Sequence, residues 1–307
     1  MYNIRTAIQL LKNDRKTLLA TIITTFFKWL PDKVYLKIVF KLKTGLSLNL
    51  KNPQTYTEKL NWLKLNDIHP EYTQLVDKYS VKEFVQERLK SEENIIKTLG
   101  VWNNFDEIDF SMLPNKFVLK TNNGGGNTSV VICKDKSKFN IEDARKKLIL
   151  KDGLQHFYWS REYPYYNVKP CIFAEEYIEA PDGELSDYKF FCFNGVPKFL
   201  FVATERQKEG EDVKFDFYDT KFTHLPIKNG HDNAAVPPQK PINFYKMLEI
   251  AATLSAGFPH VRVDLYNLNG KIYFGEYTFF HFAGFVPMKP EEWDSKFGEY
   301  LQLPTVP

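Results

Sequence analysis

Phe117-Val118-Leu119-Lys120-Thr121-Asn122-Asn123-Gly124-Gly125-Gly126-Asn127-Thr128-Ser129-Val130-Val131-Ile132 joins an apolar run ending in Lys120, three consecutive glycines and a β-branched run. That pattern predicts a strand, a flexible turn and a returning strand. Glycines let a backbone turn its N–H groups toward a ligand at distances a Cβ would forbid, and a lysine entering the turn adds a point charge. A clamp for nucleotide phosphate fits these residues, and so does an ordinary Asn-Gly hairpin turn. Two familiar phosphate loops do not fit. A P-loop continues into Gly-Lys-Ser/Thr, whereas Gly126 is followed by Asn127 and Thr128. A protein kinase puts its glycine loop ahead of the strand lysine, whereas Lys120 comes first and no His-Arg-Asp follows.

A second hairpin is predicted from His260 to Thr278, turning at Asn269-Gly270. Strand alternation places Arg262, Asp264 and Tyr266 on one face, and Phe274, Glu276 and Thr278 together on the other arm. Facing oxygen ligands of this kind suit Mg²⁺ completed by phosphate; a cross-strand charge pattern with Arg262 paired to a carboxylate uses the same residues.

The 307-residue chain is 43% hydrophobic and 26% charged, the balance of a globular protein with a sizeable core, in two domains or one large one with an N-terminal extension. A net charge of +3 does not call for nucleic acid and is compatible with a small anionic substrate. Cys133, Cys171 and Cys192 sit in apolar runs without a CxxC, which predicts buried thiols in a reducing compartment. With no signal peptide and no span-length apolar stretch, a cytoplasmic location is expected.

Up to about Leu50 the chain is skewed to Lys and Arg, against only Asp14 and Asp32. Ile4, Ile8 and Leu11, then Leu18, Leu19 and Ile22, recur at helical spacing, and a second helix starts after Leu30-Pro31-Asp32. Basic helices carrying Phe26, Phe27 and Trp29 either lie on an anionic membrane surface or pack on the core with the basic face in solvent. Helices are expected at Thr55 to Leu63, Leu75 to Val85, Ile141 to Leu150 and Met247 to Ala256. Strands are expected at Asn94 to Val101, Cys171 to Ile178, Asp187 to Phe193 and Lys198 to Val202 joined by a turn at Asn194-Gly195, and Lys214 to Tyr218. The Gly-, Asn- and Pro-rich stretch from Lys228 to Pro241 is the expected mobile segment.

Taken together, a strand lysine before a triple glycine, an apolar strand ending in Glu175-Glu176-Tyr177-Ile178, and Arg262-x-Asp264 followed by Gly275-Glu276-x-Thr278 resemble the nucleotide site of the ATP-grasp superfamily. Thr57-Glu58-Lys59, Trp62-Leu63-Lys64, Asp77-Lys78-Tyr79 and Phe274-Gly275-Glu276-Tyr277-Thr278-Phe279-Phe280 are similar to its branch named for a teichuronopeptide biosynthesis protein, TupA. The resemblance implies an α+β ATP-grasp fold in which two subdomains clamp a nucleotide behind a helical N-terminal extension. The expected divisions are 1–50, 51–115, 116–180 and 181–307. It implies that Lys78 and Lys120 hold ATP phosphates under a loop of Gly124, Gly125 and Gly126, and that Glu175, Glu176, Tyr177 and Ile178 form the hinge reading adenine. Lys189 would add a phosphate contact, Asp264, Glu276 and Thr278 would hold Mg²⁺, with Thr278 where the superfamily usually has Asn, and Arg262 would stabilise the reacting oxyanion.

The chemistry so implied is ATP-dependent carboxylate–amine ligation through an acylphosphate, with an anionic sugar or glycan precursor and an amine or amino acid as partners in bacterial surface polysaccharide synthesis. No covalent nucleophile is required, and no Ser/His/Asp or Cys/His arrangement stands out. His156, His260 and His281 are expected to be structural. A glycosyltransferase of the same pathway is the alternative, although no Asp-x-Asp occurs; a sugar kinase or a non-catalytic scaffold are the others.

Overall fold

Two antiparallel sheets grow from the two hairpins. β1 (Thr98–Trp102), β2 (Phe117–Thr121), β3 (Val130–Cys133) and β4 (Ile172–Glu176) form the smaller, in the order β1-β4-β2-β3. β5 (Asp187–Phe193), β6 (Val196–Thr204), β7 (Lys214–Asp219), β8 (His224–Leu225), β9 (His260–Leu268) and β10 (Lys271–Thr278) form the larger, in the order β10-β9-β5-β6-β7-β8. The computed structural model describes residues 23–125, 129–180, 185–205 and 212–305, so Gly126 and the expected helices before residue 23 lie outside the described residues. The expected hairpin turns form at Asn194-Gly195 and Asn269-Gly270, with all four residues at positive φ, between 48° and 90°. That left-handed pair matches the twist of the strands it joins, and Asn and Gly tolerate it best.

Helices cover the outer faces. α1 (Asp32–Thr44) buries Tyr35, Leu36, Val39 and Phe40 against Ala283 and Phe285 while Lys33, Lys37 and Lys41 stay exposed. α2 (Tyr56–Asn66) begins with a capping box between Thr55 and Glu58. α3 (Tyr72–Val76), α4 (Val81–Leu89), α5 (Ile141–Lys147) and α6 (Gly153–Ser160) are short. α7 (Phe244–Ser255) lays Met247, Ile250, Ala251 and Leu254 into the same core as Phe190, Val261, Val263 and Leu265. α8 (Glu291–Tyr300) closes on α2, where Asp294 accepts the Thr57 hydroxyl at 2.7 Å and Lys59 donates to the carbonyls of Gly298 and Leu301.

Four expectations change. The helix expected over Leu75 to Val85 is interrupted between α3 and α4, because the Asp77 carboxylate accepts the N–H groups of Tyr79 and Ser80 at 2.9 and 3.0 Å and turns the chain. Phe274 does not share a face with Glu276. Gly275 is a β-bulge: Phe274 pairs with Leu265 but Glu276 pairs with Asp264, so Phe274 joins the core and Glu276 turns to the opposite side. The segment expected to be mobile is pinned at its start, with Asn229 buried and donating to the carbonyls of Val286 and Pro287. Of the cysteines, Cys133 and Cys192 are buried and Cys171 is only half-buried.

Gly298 sits where α8 meets the start of α2, and a Cβ there would run into the Gln54 carbonyl and the backbone of Thr55 and Tyr56. Gly298→Ala is expected to destabilise the fold by about 1–3 kcal/mol through overpacking, measured by urea unfolding; an unchanged midpoint would show that the two helices do not pack this closely.

Candidate active site

The interruption after α3 delivers the first functional side chain. Lys78 donates its backbone N–H to the Asn122 carbonyl at 3.0 Å. Asn122, fully buried, donates to Asp77 at 2.6 Å and to the Lys169 carbonyl, and accepts the Cys171 N–H. One asparagine therefore ties the glycine turn, the break before α4 and the entry to β4 into one knot. From it Lys78 reaches both hairpins, donating to the Gly124 carbonyl at 2.7 Å and pairing with Glu276 at 2.8 Å. Gly124 has to be glycine, since a Cβ would collide with the Ser129 side chain and the Thr121 hydroxyl.

The sheets face each other across a cleft whose walls carry alternating charges. On β2, Lys120 pairs with Glu175 of β4 at 2.6 Å, and Lys82 of α4 approaches the same carboxylate at 2.5 Å. On β5, Lys189 pairs with Asp187 at 2.7 Å and with Asp264 of β9. Burial favours the neutral form of Lys120, but Glu175 holds its ammonium above the usual lysine value. Burial likewise opposes Glu175 and Glu276 as anions, yet Lys120 and Lys82 lower the first and Lys78, Lys189 and Arg262 hold the second well below the usual range. Asp264 goes the other way, pushed up by burial against the pull of Arg262 and Lys189, so Glu276 is the better-held anion of the hairpin.

Lys78, Lys120, Glu175, Glu176, Tyr177, Ile178, Lys189, Asp264 and Glu276, all expected from the sequence, line this one cleft, together with Asp187 and Tyr266. Its wall mixes apolar and charged side chains: Val118 stands opposite Glu175 and Phe173 opposite Lys120, and Ile96, Ile132, Ile178 and Leu185 add apolar surface. Gly124 and Gly125 line an adjoining groove instead. A larger groove between Tyr72, Arg88 and Phe258 contains none of the lysines or acids of the cleft.

Arg262 and Thr278 are not among the lining residues. Arg262 grips both oxygens of Asp264 at 2.7 and 2.8 Å and donates to the Thr278 hydroxyl at 2.9 Å. Its third nitrogen lies 2.6 Å from Nδ1 of His281. A guanidinium only donates, so Nδ1 accepts and the His281 proton sits on Nε2, donated to Asn229 at 2.7 Å. Burial and then Arg262 lower the pKa of His281, which fits a neutral ring. His260 is buried between the Tyr56 hydroxyl and the Cys192 carbonyl, its pKa pushed down to about 3 by burial.

Among the described residues no three His, Cys, Asp or Glu gather as a metal cage. Asp264 and Glu276 nevertheless stand directly opposite each other on paired strands and both line the cleft. One or two carboxylates completed by phosphate oxygens is the way Mg²⁺ is usually held, so the donor set fits that ion.

Sequence reading missed Lys82, Asp187, Asn122 and the His281–Asn229 support. Asp187-x-Lys189 carried a signal, since alternation puts both on one strand face; Lys82 and Asn229 act across long sequence separations and carried none.

The family model described as TupA-like ATPgrasp matches residues 58–302. No functionally curated protein matches the chain. Among solved structures it is similar to the ATP complex of a D-alanine–D-alanine ligase from Bacillus anthracis, at 11% identity and a TM-score of 0.36 over 66% of this chain and 53% of that one. It is also similar to the ADP complex of the N5-carboxyaminoimidazole ribonucleotide synthetase PurK, at 15% identity and a TM-score of 0.41 over 79% and 56%. A third is the ligase PsnB with a phosphomimetic variant of its minimal precursor, Mg and ADP, at 12% identity and a TM-score of 0.40 over 98% and 75%. The chain spans about half the length of the D-alanine–D-alanine ligase.

Glu175 neutralises two lysines at only 6% side-chain exposure. Glu175→Gln is expected to cost about 3 kcal/mol near neutral pH, because two ammoniums lose their counter-charge. Since the folded-state pKa is lowered, the stabilisation is full above the unfolded glutamate value of roughly 4.3 and fades as pH falls toward the folded value. Urea unfolding of both proteins between pH 7 and pH 3 should show the gap narrowing below about pH 4; a gap independent of pH would remove the charge pairing as its cause.

Proposed function

This chain belongs to the TupA-like ATP-grasp family, and from that premise we propose that it is an ATP- and Mg²⁺-dependent carboxylate–amine ligase. Its acceptor is the carboxylate of a uronic acid in a bacterial surface glycan or its precursor, and its second substrate is an amine or amino acid. One observation carries the reading: Lys78 touches the glycine turn and the acidic hairpin at once, so the groups that suit phosphate and the groups that suit a divalent cation border one cleft.

A wall with both apolar side chains and ammoniums suits a nucleotide, with the base against Ile96, Val118, Ile132 and Ile178 near the Glu176–Ile178 backbone and the phosphates toward Lys120, Lys78 and Lys189. Asp264 and Glu276 would hold Mg²⁺, which when bound neutralises phosphate charge. An acceptor carboxylate oxygen attacks the γ-phosphorus, the bond to the bridging oxygen breaks and ADP leaves with the electron pair. The amine then attacks the acyl carbon, loses its proton and expels phosphate. The ammoniums of Lys78 and Lys120 meet charge already fixed in place, which is what lowers a phosphoryl-transfer barrier. Arg262, clamped by Asp264, Thr278 and His281, keeps Asp264 in one orientation.

Incubation of the protein with ATP, Mg²⁺, D-glucuronate and a panel of amines should yield ADP, phosphate and an amide by mass spectrometry. Lys120→Ala or Glu276→Ala should lower ADP formation by ~10²-fold. A phosphorylated sugar without free phosphate would mean a kinase, and turnover of a UDP-sugar in place of ATP would mean a glycosyltransferase; either contradicts the ligase.

Exposed Phe26, Phe27 and Trp29 beside Lys28, Lys33 and Lys37 support a peripheral contact of this first segment with an anionic membrane surface on the cytoplasmic side. The expectation is co-flotation with phosphatidylglycerol vesicles that is lost in Phe26→Ser/Trp29→Ser and at high salt; equal flotation of wild type and variant would contradict it.

A further inference from the structure

We infer that the acceptor sugar acid binds in the groove adjoining the glycine turn, with Trp159 under the sugar ring and Lys147 and Lys151 on its carboxylate; this rests on the ligase reading and names where its substrate sits. Thr121, Asn123, Gly124 and Gly125 make one wall of this groove, and Lys147, Lys151, Gln155, His156 and Trp159 make much of the other.

Position is the first argument. Gly124 lines the groove, and its carbonyl accepts the ammonium of Lys78, a cleft residue that also pairs with Glu276. His156 stacks on Tyr165 with ring centroids 3.8 Å apart. Tyr165 is half-buried and packs against the main core. The groove thus borders the cleft at Lys78 and Glu276, groups suited to phosphate and Mg²⁺.

Composition is the second. The groove brings two lysines to a surface where Asp152 is the one carboxylate, and Asp152 already caps α6 by accepting the Leu154 N–H at 3.0 Å. Trp159 is 45% exposed, with the Lys43 ammonium 4.3 Å from its ring centroid. An indole offers its face to the C–H side of a pyranose, ammoniums take a carboxylate, and Gln155 and His156 offer donors and acceptors to hydroxyls. Asn123 donates to the Lys151 carbonyl at 2.7 Å, so the lysine's backbone is fixed to the turn that would cover the phosphates.

Saturation-transfer NMR on the full chain tests this, using D-glucuronate as probe and D-glucose as control with Mg²⁺ and a non-hydrolysable ATP analogue present. The affinity of the analogue, measured by calorimetry, serves as the fold control for each variant. Wild type should give a glucuronate signal well above that of glucose, falling at least fivefold in Trp159→Ala and in Lys151→Ala while the analogue still binds. A glucuronate signal undiminished in both variants, or absent in wild type that binds the analogue, would overturn the groove assignment and leave the ATP site standing. Failure of wild type to bind the analogue would overturn the ligase reading and this inference with it.

Discussion

Opposite charges buried between two sheets are what the rest of this molecule is arranged around. Glu175 lies between Lys120 and Lys82, Asp264 between Arg262 and Lys189, and Glu276 against Lys78. Taking such groups out of water costs several kcal/mol per ion, and the mutual attraction offsets that only when geometry is good. Net stabilisation is therefore small, but the penalty for a misplaced partner is large. The charge lattice acts as a register: it admits one relative position of the glycine turn and the acidic hairpin, while the apolar faces of both sheets are covered by helices that any hydrophobic contact would satisfy.

That register also explains why local irregularities cluster where they do. Asp77 breaks a helix so that Lys78 can reach across, Gly275 inserts a bulge so that Glu276 turns to the same side as Asp264, and Gly124 omits a Cβ so that the turn can close on Ser129. The first two each deliver one charged group to the cleft, and the third offers the carbonyl that Lys78 donates to. Behind them, neutral His281 accepts from Arg262 and donates to Asn229, so that the guanidinium gripping Asp264 is held by residues far away in sequence.

Much of this was legible in the sequence. Asn194-Gly195 and Asn269-Gly270 are turn signals whose chemistry is local, and both hairpins formed where they were expected. The residues expected as phosphate lysines, metal acids and hinge were singled out by their order along the chain, and the fold brings nine of them to one cleft. What was not legible depended on competition between local signals. The apolar stripe of Leu75, Val76, Val81 and Val85 favours a continuous helix, and only the fixed position of Asn122 lets the Asp77 turn win. The alternation that put Phe274 with Glu276 fails because a glycine bulge shifts parity by one, and a single glycine in a strand announces a bulge without proving it.

Amide hydrogen exchange with and without Mg²⁺ and a non-hydrolysable ATP analogue tests the shared cleft most directly, since it reads every segment in one experiment. A nucleotide held by both sheets predicts slowed exchange at 117–125, 172–178 and 260–278 together. Protection confined to one of these segments, or appearing only around Tyr72, Arg88 and Phe258, would contradict it.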